Sequence, residues 1–198
     1  MKAAALILAG GQAIRMGGGD KPLLRVGGVP MLTRIIAALR ADVADIALSA
    51  NGDAARFAKF DLPVLADGVF RGEGPLAGVL AGLDWAAALA ADALLTVPGD
   101  APFIPVGLAT TLAPPPACIT SGGRMHPLTA LWPTGCREPL RDLLSRPGPR
   151  AIRSFATRIG MRQVEVPAGD RDLFLNVNTA DDLALAHNLA KRMEEAEI

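Results

Sequence analysis

The stretch AALILAGGQAIRMGGGDK, residues 4–21, joins a short apolar run to a glycine-rich segment that contains Arg15 and Lys21. An apolar run of this length that stops at glycine is typical of a buried parallel strand. Glycine lacks a Cβ, so the segment can turn tightly and bring backbone N–H groups close to phosphate oxygens. Arg15 and Lys21 add positive charge, and an arginine binds two phosphate oxygens at once. We therefore expect a strand followed by a phosphate-binding loop; a surface loop with solvated charges is the alternative.

Two common phosphate loops do not fit this spacing. A Walker A loop has glycine before its lysine and Ser or Thr after it, whereas Lys21 lies between Asp20 and Pro22. The dinucleotide fingerprint G-x-G-x-x-G is also missing from the turn.

Lys2 and the apolar run after it resemble the start of a signal peptide, but the run is short and no A-x-A site follows. We interpret the run as a strand.

Strand-like and helix-like segments alternate through the first half of the chain. The strands are expected at residues 4–9, 45–50, 62–66 and 93–98, and the helices at 30–40 and 74–90. This rhythm predicts an α/β fold with a mainly parallel central sheet and helices on both faces. The second half is expected to contain strands at 117–121 and 127–132 around a turn at 122–126, helices at 135–145 and 149–160, and strands at 162–167 and 173–178. Thr179 and Asp182 are expected to cap a last helix.

Polar segments follow each predicted strand of the first half. SANGD follows the second strand, ADG the third and PGDAPF the fourth. Ligands of open parallel sheets bind at the carboxyl ends of the strands, so we expect these segments to meet the glycine loop at one edge. Asp100, in PGDAPF, is placed to hold Mg²⁺, which prefers one or two carboxylates together with substrate phosphates. A purely structural turn at Asp100 is the other interpretation.

Composition excludes several classes of function. Lys and Arg number 20, as do Asp and Glu, so there is no general attraction to nucleic acid or to anionic membranes. Tyrosine is absent and aromatic residues are few, which disfavours base-stacking surfaces. No apolar stretch reaches transmembrane length, and we expect a cytoplasmic protein without nucleic-acid or membrane partners. Cys118 and Cys136 are expected to be reduced and buried.

Five motifs, in chain order, resemble the molybdenum cofactor guanylyltransferases. They are LAGGQAIRMGGGDK (8–21), GPLAG (74–78), PGDAPF (98–103), HP (126–127) and NVNTADDL (176–183), so the resemblance covers nearly the whole chain. It implies a three-layer Rossmann-like nucleotidyltransferase fold in one domain, residues 1–198, with a nucleotide-binding half at about 1–105 and a pterin-binding half at about 106–198. It also implies a reaction in which molybdenum-molybdopterin attacks the α-phosphorus of GTP, giving molybdopterin guanine dinucleotide and pyrophosphate.

The resemblance assigns roles to individual residues. The residues implied to bind the nucleotide are Leu8, Ala9, Gly10, Gly11, Lys21, Asn51, Asp67, Gly78 and Asp100. Asn176 and Asn178 are implied to bind the pterin. Arg15, Lys21 and Asp100 are implied to be catalytic, with Arg15 on the departing pyrophosphate, Lys21 on the nucleotide phosphates and Asp100 on Mg²⁺. The implied partners are GTP, molybdenum-molybdopterin and, transiently, cofactor-biosynthesis proteins and apo-molybdoenzymes; we expect a monomer.

Several alternatives stay open. A molybdopterin cytidylyltransferase using CTP usually has LAAG where this chain has LAGG, and a nucleotide-binding regulatory protein without catalysis would keep the fold. His126, in the predicted turn, either contacts substrate or makes a structural hydrogen bond. The arginines at 146–158 form either a solvated helix face or a basic rim for the pterin phosphate. The family often has PCD where this chain has Pro98, Gly99 and Asp100, which suggests a looser turn.

Overall fold

A computed structural model describes residues 1–10, 20–167 and 172–195 of the chain. The strands are β1 (Ala3–Leu8), β2 (Arg25–Val26), β3 (Val29–Pro30), β4 (Ile46–Ser49), β5 (Val64–Leu65), β6 (Ala93–Pro98), β7 (Ala117–Ser121), β8 (Arg124–Pro133) and β9 (Arg162–Glu165). The α-helices are α1 (Met31–Arg40), α2 (Pro75–Ala88), α3 (Leu108–Thr111), α4 (Arg137–Ser145), α5 (Ile152–Arg158) and α6 (Ala180–Glu195). Short 3₁₀ helices lie at Lys21–Leu23, Ala54–Phe60, Gly68–Phe70 and Thr134–Cys136.

The described residues form a mostly parallel sheet of seven strands in the order β5-β4-β1-β6-β8-β7-β9. The strands β5, β4, β1 and β6 run parallel, whereas β8 is antiparallel to both β6 and β7. The predicted α/β architecture is therefore confirmed. A separate two-stranded ribbon is formed by β2 and β3.

Alternation along the buried strands divides the core between the two faces of the sheet. In β1, Ala5 and Ile7 pack with residues of α1 and α3, while Ala4 and Leu6 pack with α2, α4 and α5. All four of these β1 residues have no exposed surface, as expected for a central parallel strand with helices on both sides. The helix α6 packs against the β2–β3 ribbon through a third cluster that includes Val26, Phe103 and Val177.

Two predictions for the second half are wrong in detail. The hairpin turn is only Gly122 and Gly123, both with positive φ, so β8 begins at Arg124 and His126 lies within a strand, paired with Ile119. A two-residue turn of this kind favours glycine at both positions, which explains why the strands extend further than predicted.

Residues 173–178 were predicted as a strand, but they form a turn and then a segment that lies outside the sheet. The Asp172 carboxylate accepts a hydrogen bond from the Phe174 N–H at 3.1 Å, which starts the turn. Further along, the Val177 N–H donates to the Asp100 carbonyl at 2.8 Å. Two of the apolar residues that suggested a strand, Phe174 and Val177, are buried although they lie outside the sheet.

The remaining helices and cysteines follow the expectations more closely. The helix predicted at 149–160 is shorter, at Ile152–Arg158, and the one predicted at 135–145 is preceded by a 3₁₀ turn. Cys118 and Cys136 are buried free thiols, as predicted. Within the described ranges, none of the helices combines the length and apolarity that a membrane span requires.

Candidate active site

The register of the sheet brings the ends of three parallel strands level with one another. Leu8, the last residue of β1, is in register with Ser49 of β4 on one side and with Pro98 of β6 on the other. The segments that follow these strands therefore meet, as the strand-end rule predicts. They enclose a cavity of about 410 Å³ lined by Leu8, Gly10, Lys21, Pro22, Ser49, Ala50, Asn51, Asp67, Gly72, Gly74, Pro75, Gly78, Pro98, Gly99, Asp100 and Leu128. This volume is typical of sites for small ligands.

Lys21 and Asp100 contact each other in the lining of this cavity. The Lys21 ammonium Nζ lies 3.5 Å from Asp100 Oδ2 and donates a hydrogen bond to Asn178 Oδ1 at 2.6 Å. The side chains of Lys21 and Asp100 are only 14% and 21% exposed. A cation, a carboxylate and an amide from three distant parts of the chain thus converge on one point.

Burial controls the protonation of Asp100. Loss of hydration raises the pKa of this carboxyl above its ordinary value, and the charge and hydrogen bond of Lys21 offset only part of that effect. The ionised form is therefore costly at this buried position. Any cation brought in with a ligand would favour it.

Asn178 is held in place from both sides. Its neighbour Val177 is tied to the Asp100 carbonyl, and its own backbone N–H donates to Asp182 Oδ2 at 2.9 Å. Asp182 also accepts from the Thr179 N–H, while Thr179 Oγ1 accepts from the Asp182 N–H, which confirms the predicted capping box. These hydrogen bonds to backbone N–H groups lower the pKa of Asp182. The N-terminus of α6 thereby fixes the amide that contacts Lys21.

Asn51 and Asp67 form a closed pair on the other side of the cavity. Asn51 Nδ2 donates to Asp67 Oδ2 at 2.6 Å, and the Asp67 N–H donates back to Asn51 Oδ1 at 3.1 Å. The pair joins the segments that follow β4 and β5. Both residues were predicted to bind the nucleotide, and both line the cavity.

Arg56 is a residue that the sequence analysis did not single out. Its guanidinium donates a hydrogen bond to the Asn51 carbonyl, and its Nε lies 2.9 Å from Oδ2 of Asp20, the residue before Lys21. The only sequence signal was an arginine shortly after a strand-end asparagine, in SANGDAARF.

The N-terminus of α2 forms another wall of the cavity. Gly74 precedes the helix with a φ of +79°, Pro75 occupies its first turn, and both line the cavity together with Gly78. A Cβ on Gly78 would overlap Ser49 Oγ and lie 3.1 Å from Leu8 Cδ2, so glycine lets the helix approach β1 and β4 closely. A helix N-terminus carries partial positive charge and exposed N–H groups, which favours anions.

Ser49 was also missed by the sequence analysis. It is 5% exposed and lines the cavity. A lone hydroxyl at the end of the buried run IALS was the available signal.

Two glycines differ in what surrounds them. A Cβ on Gly10 would meet no atom of the described residues within 4 Å, although Gly10 lines the cavity. A Cβ on Gly99 would lie 2.9 Å from Pro22 Cγ and 3.0 Å from the Leu8 carbonyl. The turn at Gly99 is therefore tightly packed, contrary to the looser turn inferred from PGD.

The other predicted site residues are placed as follows. Ala9 is fully buried, and its N–H donates to the Ser49 carbonyl at 2.9 Å. Gly11 and Arg15 lie outside the described residues. The Asn176 carbonyl accepts a hydrogen bond from Asn178 Nδ2 at 3.3 Å, so Asn176 contacts the amide that also contacts Lys21.

His126 and the arginine run lie outside the cavity lining. The His126 ring packs 5.2 Å from the Phe174 ring, and burial together with Arg124 lowers the pKa of His126. Arg150 is not a solvated side chain: it pairs with Glu73 at 2.8 Å and donates to the Leu144 carbonyl near the end of α4. It thus connects α4 to the loop next to Gly72 and Gly74.

No three His, Cys, Asp or Glu side chains form a metal-binding group within the part of the chain that is described. A metal at this site would need oxygen ligands from a substrate in addition to Asp100. That requirement fits a magnesium triphosphate.

Comparisons with known proteins identify the family and the fold of the chain. The family model of the MobA-like NTP transferase domain matches residues 5–163. The molybdenum cofactor guanylyltransferase of Acidiphilium cryptum is 51% identical over 182 residues, 92% of each chain. That of Mesorhizobium japonicum is 45% identical over 201 residues, 96% of this chain and 97% of its own. Molybdopterin-guanine dinucleotide biosynthesis protein A of Archaeoglobus fulgidus shares the fold, with a TM-score of 0.72 at 20% identity over 98% of this chain and 100% of its own.

Proposed function

The chain belongs to the molybdenum cofactor guanylyltransferases within the MobA-like NTP transferase family, and from that premise we propose how its cavity performs guanylyl transfer. The protein is a nucleotidyltransferase that transfers GMP from GTP to the molybdenum cofactor. The observation that carries the proposal is the 3.5 Å contact between Lys21 Nζ and Asp100 Oδ2 in the lining of one cavity at the strand ends.

A terminal phosphate oxygen of molybdenum-molybdopterin attacks the α-phosphorus of GTP. A new P–O bond forms, the bond between the α- and β-phosphates breaks, and its electron pair leaves with pyrophosphate. The nucleophile is already an anionic oxygen, so no side chain has to be activated by a base. Transfers of this kind depend on neutralising charge and aligning the two substrates.

Lys21 and the N-terminus of α2 supply positive potential for the phosphates. Asp100 and Asn178 hold Lys21 Nζ in a fixed orientation for the triphosphate. We assign Arg15 to the departing pyrophosphate on the resemblance of the glycine loop alone, since it lies outside the described residues.

Asp100 is the proposed ligand of Mg²⁺. Burial makes its charge costly unless a cation is near, and a single carboxylate together with phosphate oxygens is a donor set that this ion prefers. Bound there, the ion supplies charge neutralisation on the triphosphate. Lys21 and Asn178 hold the Asp100 side of the cavity in place.

The nucleoside is proposed to contact the backbone at Leu8, Ala9, Gly10 and Gly11 and the side chains of Asn51 and Asp67. Two observations support this assignment: the hydrogen-bonded Asn51–Asp67 pair, and a position at Gly10 where an added Cβ would meet no described atom within 4 Å. Asn176 and Asn178 are proposed to face the pterin substrate. The nucleotide-binding half at 1–105 and the pterin-binding half at 106–198 then contribute to one site, because Asn178 contacts Lys21.

GTP is favoured over CTP because the curated relatives are guanylyltransferases. We also propose a cytoplasmic location, which is consistent with two free buried thiols. The monomeric state and the contacts with cofactor-biosynthesis proteins and apo-molybdoenzymes stay predictions.

The test is incubation of the purified chain with Mg²⁺, molybdenum-molybdopterin and either GTP or CTP, with pyrophosphate and dinucleotide measured. We expect product from GTP and little from CTP. Lys21→Ala should lower kcat/KM for GTP about 100-fold, because it removes the cation from the phosphate site. Consumption of CTP alone would support a cytidylyltransferase, and GTP binding without pyrophosphate release would support a regulatory protein.

A further inference from the structure

We propose that Arg56 is a positioning residue that places Lys21 for the triphosphate by holding Asp20. The inference rests on the proposed function, because it depends on Lys21 meeting the nucleotide phosphates. Neither Arg56 nor Asp20 lines the cavity, so both act through their neighbours.

Arg56 contacts two segments that follow different strands. Its Nε lies 2.9 Å from Asp20 Oδ2, and its other nitrogens donate to the carbonyls of Asn51, at 2.7 Å, and Asp53. Arg56 Nε has no directed hydrogen bond within the described residues, so its contact with Asp20 is a pairing of charges. The guanidinium also lies 4.7 Å from the centre of the Phe57 ring. These contacts keep the planar group in one position.

The pair is shielded from water. The Arg56 and Asp20 side chains are 25% and 21% exposed. Exposed ion pairs are weak because water and salt screen them, but screening is reduced at this level of burial. The Arg56–Asp20 pair is therefore screened less than a fully exposed pair would be.

Asp20 transmits that position to Lys21 through the backbone. The Asp20 carbonyl accepts a hydrogen bond from the Leu23 N–H at 3.0 Å, which closes the 3₁₀ turn Lys21–Leu23. Asp20 is thus the residue from which the turn carrying Lys21 begins. Moving Asp20 would shift Lys21 away from its 3.5 Å contact with Asp100.

Arg56 also connects this turn to the other side of the cavity. The Asn51 carbonyl accepts from Arg56, while the Asn51 side chain pairs with Asp67. One guanidinium therefore sets the distance between the segment proposed to contact the nucleoside and the segment proposed to contact the phosphates.

Simple electrostatics predicts the opposite effect for one substitution. Asp20 is negatively charged and next to Lys21, so its neutralisation in Asp20→Asn should tighten the binding of a polyanion if charge alone matters. If Asp20 and Arg56 position Lys21, the same substitution weakens binding. The sign of the change therefore separates the two explanations.

The experiment measures the dissociation constants of Mg²⁺·GTP and of guanosine by calorimetry for Asp20→Asn, Arg56→Gln and the double variant. Guanosine lacks the phosphates that Lys21 would contact. Arg34→Gln is the matched control: Arg34 pairs with Glu194 at 3.5 Å, donates to the Val26 carbonyl and lies 5.9 Å from the Phe103 ring centre, away from the cavity lining.

We expect Asp20→Asn to raise the dissociation constant of GTP about tenfold and that of guanosine less than about threefold. Arg56→Gln should raise that of GTP at least as much, and the double variant should be no worse than Arg56→Gln within about twofold, because both changes break one pair. Arg34→Gln should lower the Tm but leave GTP binding within about twofold of the wild type.

Unchanged or tighter GTP binding by Asp20→Asn would overturn the proposal. Full additivity of the two substitutions would overturn it as well, because it would mean that the residues act separately. If Arg56→Gln does not fold, Asp20→Asn alone decides by the sign of its effect. A wild-type protein that binds GTP but transfers no GMP would contradict the proposed function, while these binding measurements would still decide the role of Arg56.

Discussion

Asp100 is a residue whose ionised form is disfavoured by its burial. Burial raises its pKa, and Lys21 at 3.5 Å lowers it only in part. A folded-state pKa above the unfolded value means that the carboxyl stabilises the fold below about pH 4, and that this contribution is lost as the pH rises through the folded pKa. At neutral pH the ionised Asp100 therefore lowers the stability of the fold, and a bound cation would offset this effect.

Asp100→Asn should abolish turnover and stabilise the metal-free protein. The amide cannot supply the proposed charge to Mg²⁺, and we expect kcat to fall about 1,000-fold or more. The amide also avoids burying a charge, so the Tm measured in EDTA should exceed that of the wild type at pH 7, with the difference vanishing near pH 3. Near wild-type turnover would exclude Asp100 as the metal ligand.

Asp182→Asn is the control for this pH dependence because the shift there has the opposite sign. The pKa of Asp182 is lowered by hydrogen bonds from backbone N–H groups, Asn178 first. Its stabilisation is present above the unfolded pKa of about 3.9 and is lost as the pH falls through the lower folded value. We therefore expect Asp182→Asn to lower the Tm at pH 7. A higher Tm in both variants would indicate a general charge effect.

Gly10→Ala should change nucleotide preference without changing stability. A methyl group at Gly10 meets no described protein atom within 4 Å, and because the residue lines the cavity, a bound ligand is expected to encounter that methyl group. We expect kcat/KM for GTP to fall about 10- to 100-fold, with less effect on CTP, because a purine requires more room than a pyrimidine.

Gly135→Ala is the matched control for this change. A Cβ on Gly135 also meets no described atom within 4 Å, and Gly135 is not part of the cavity lining. Both variants should unfold within about 0.5 kcal/mol of the wild type in urea. Equal losses with GTP and CTP for Gly10→Ala would contradict a role of Gly10 in selecting the base.

At the scale of elements, the site depends on how closely α2 approaches the sheet. The first turn of α2 lines the cavity, and Gly78 in the next turn faces Ser49 of β4 and Leu8 of β1. Both neighbours are themselves cavity residues at strand ends. The distance between helix and sheet therefore sets the width of the cavity.

Gly78→Ala should destabilise the fold although alanine is the better helix former. Alanine gains about 1 kcal/mol of helix propensity over glycine, but the overlap with Ser49 Oγ has little room to relax because Ser49 is 5% exposed. Overpacking costs about 1–3 kcal/mol, so we expect a net loss of up to about 2 kcal/mol in urea unfolding, together with weaker GTP binding.

Ser49→Ala in the same chain should restore part of that stability, because it removes the oxygen that the new methyl group overlaps. The double variant is therefore expected to be more stable than Gly78→Ala alone. Simple addition of the two single effects would show that the contact between Gly78 and Ser49 does not limit the approach of α2.

At the scale of the whole molecule, the fold was more predictable than the contacts within it. Apolar runs such as residues 4–9 and 93–98 indicated central strands correctly, because buried strands have few other patterns. Residues 173–178 are also largely apolar but lie outside the sheet, since the turn at Asp172 and the hydrogen bond from the Val177 N–H to the Asp100 carbonyl direct the chain elsewhere. Periodicity reports which residues are buried, and not which partner buries them.

The candidate site was predictable where one geometric rule applied. The carboxyl ends of parallel strands meet, which brought Lys21, Asn51 and Asp100 together from the sequence alone. The approach of Arg56 to Asp20 depends on side-chain reach between segments 36 positions apart, and no local pattern encodes it. The positive φ values of Gly122 and Gly123 decided the place of His126 in the same way.

GTP with Mg²⁺ should stabilise the entire fold, because segments following β1, β4, β5 and β6 all line one cavity. At 100 times its dissociation constant, a ligand adds about 2.7 kcal/mol to the free energy of unfolding. For a chain of this size that corresponds to a rise in Tm of about 5–10 °C. In EDTA the rise should be smaller, and in Asp100→Asn it should be nearly the same with and without Mg²⁺. CTP at the same concentration is the control, and a Tm that responds equally to both nucleotides, or a full Mg²⁺ effect in Asp100→Asn, would contradict the assigned site.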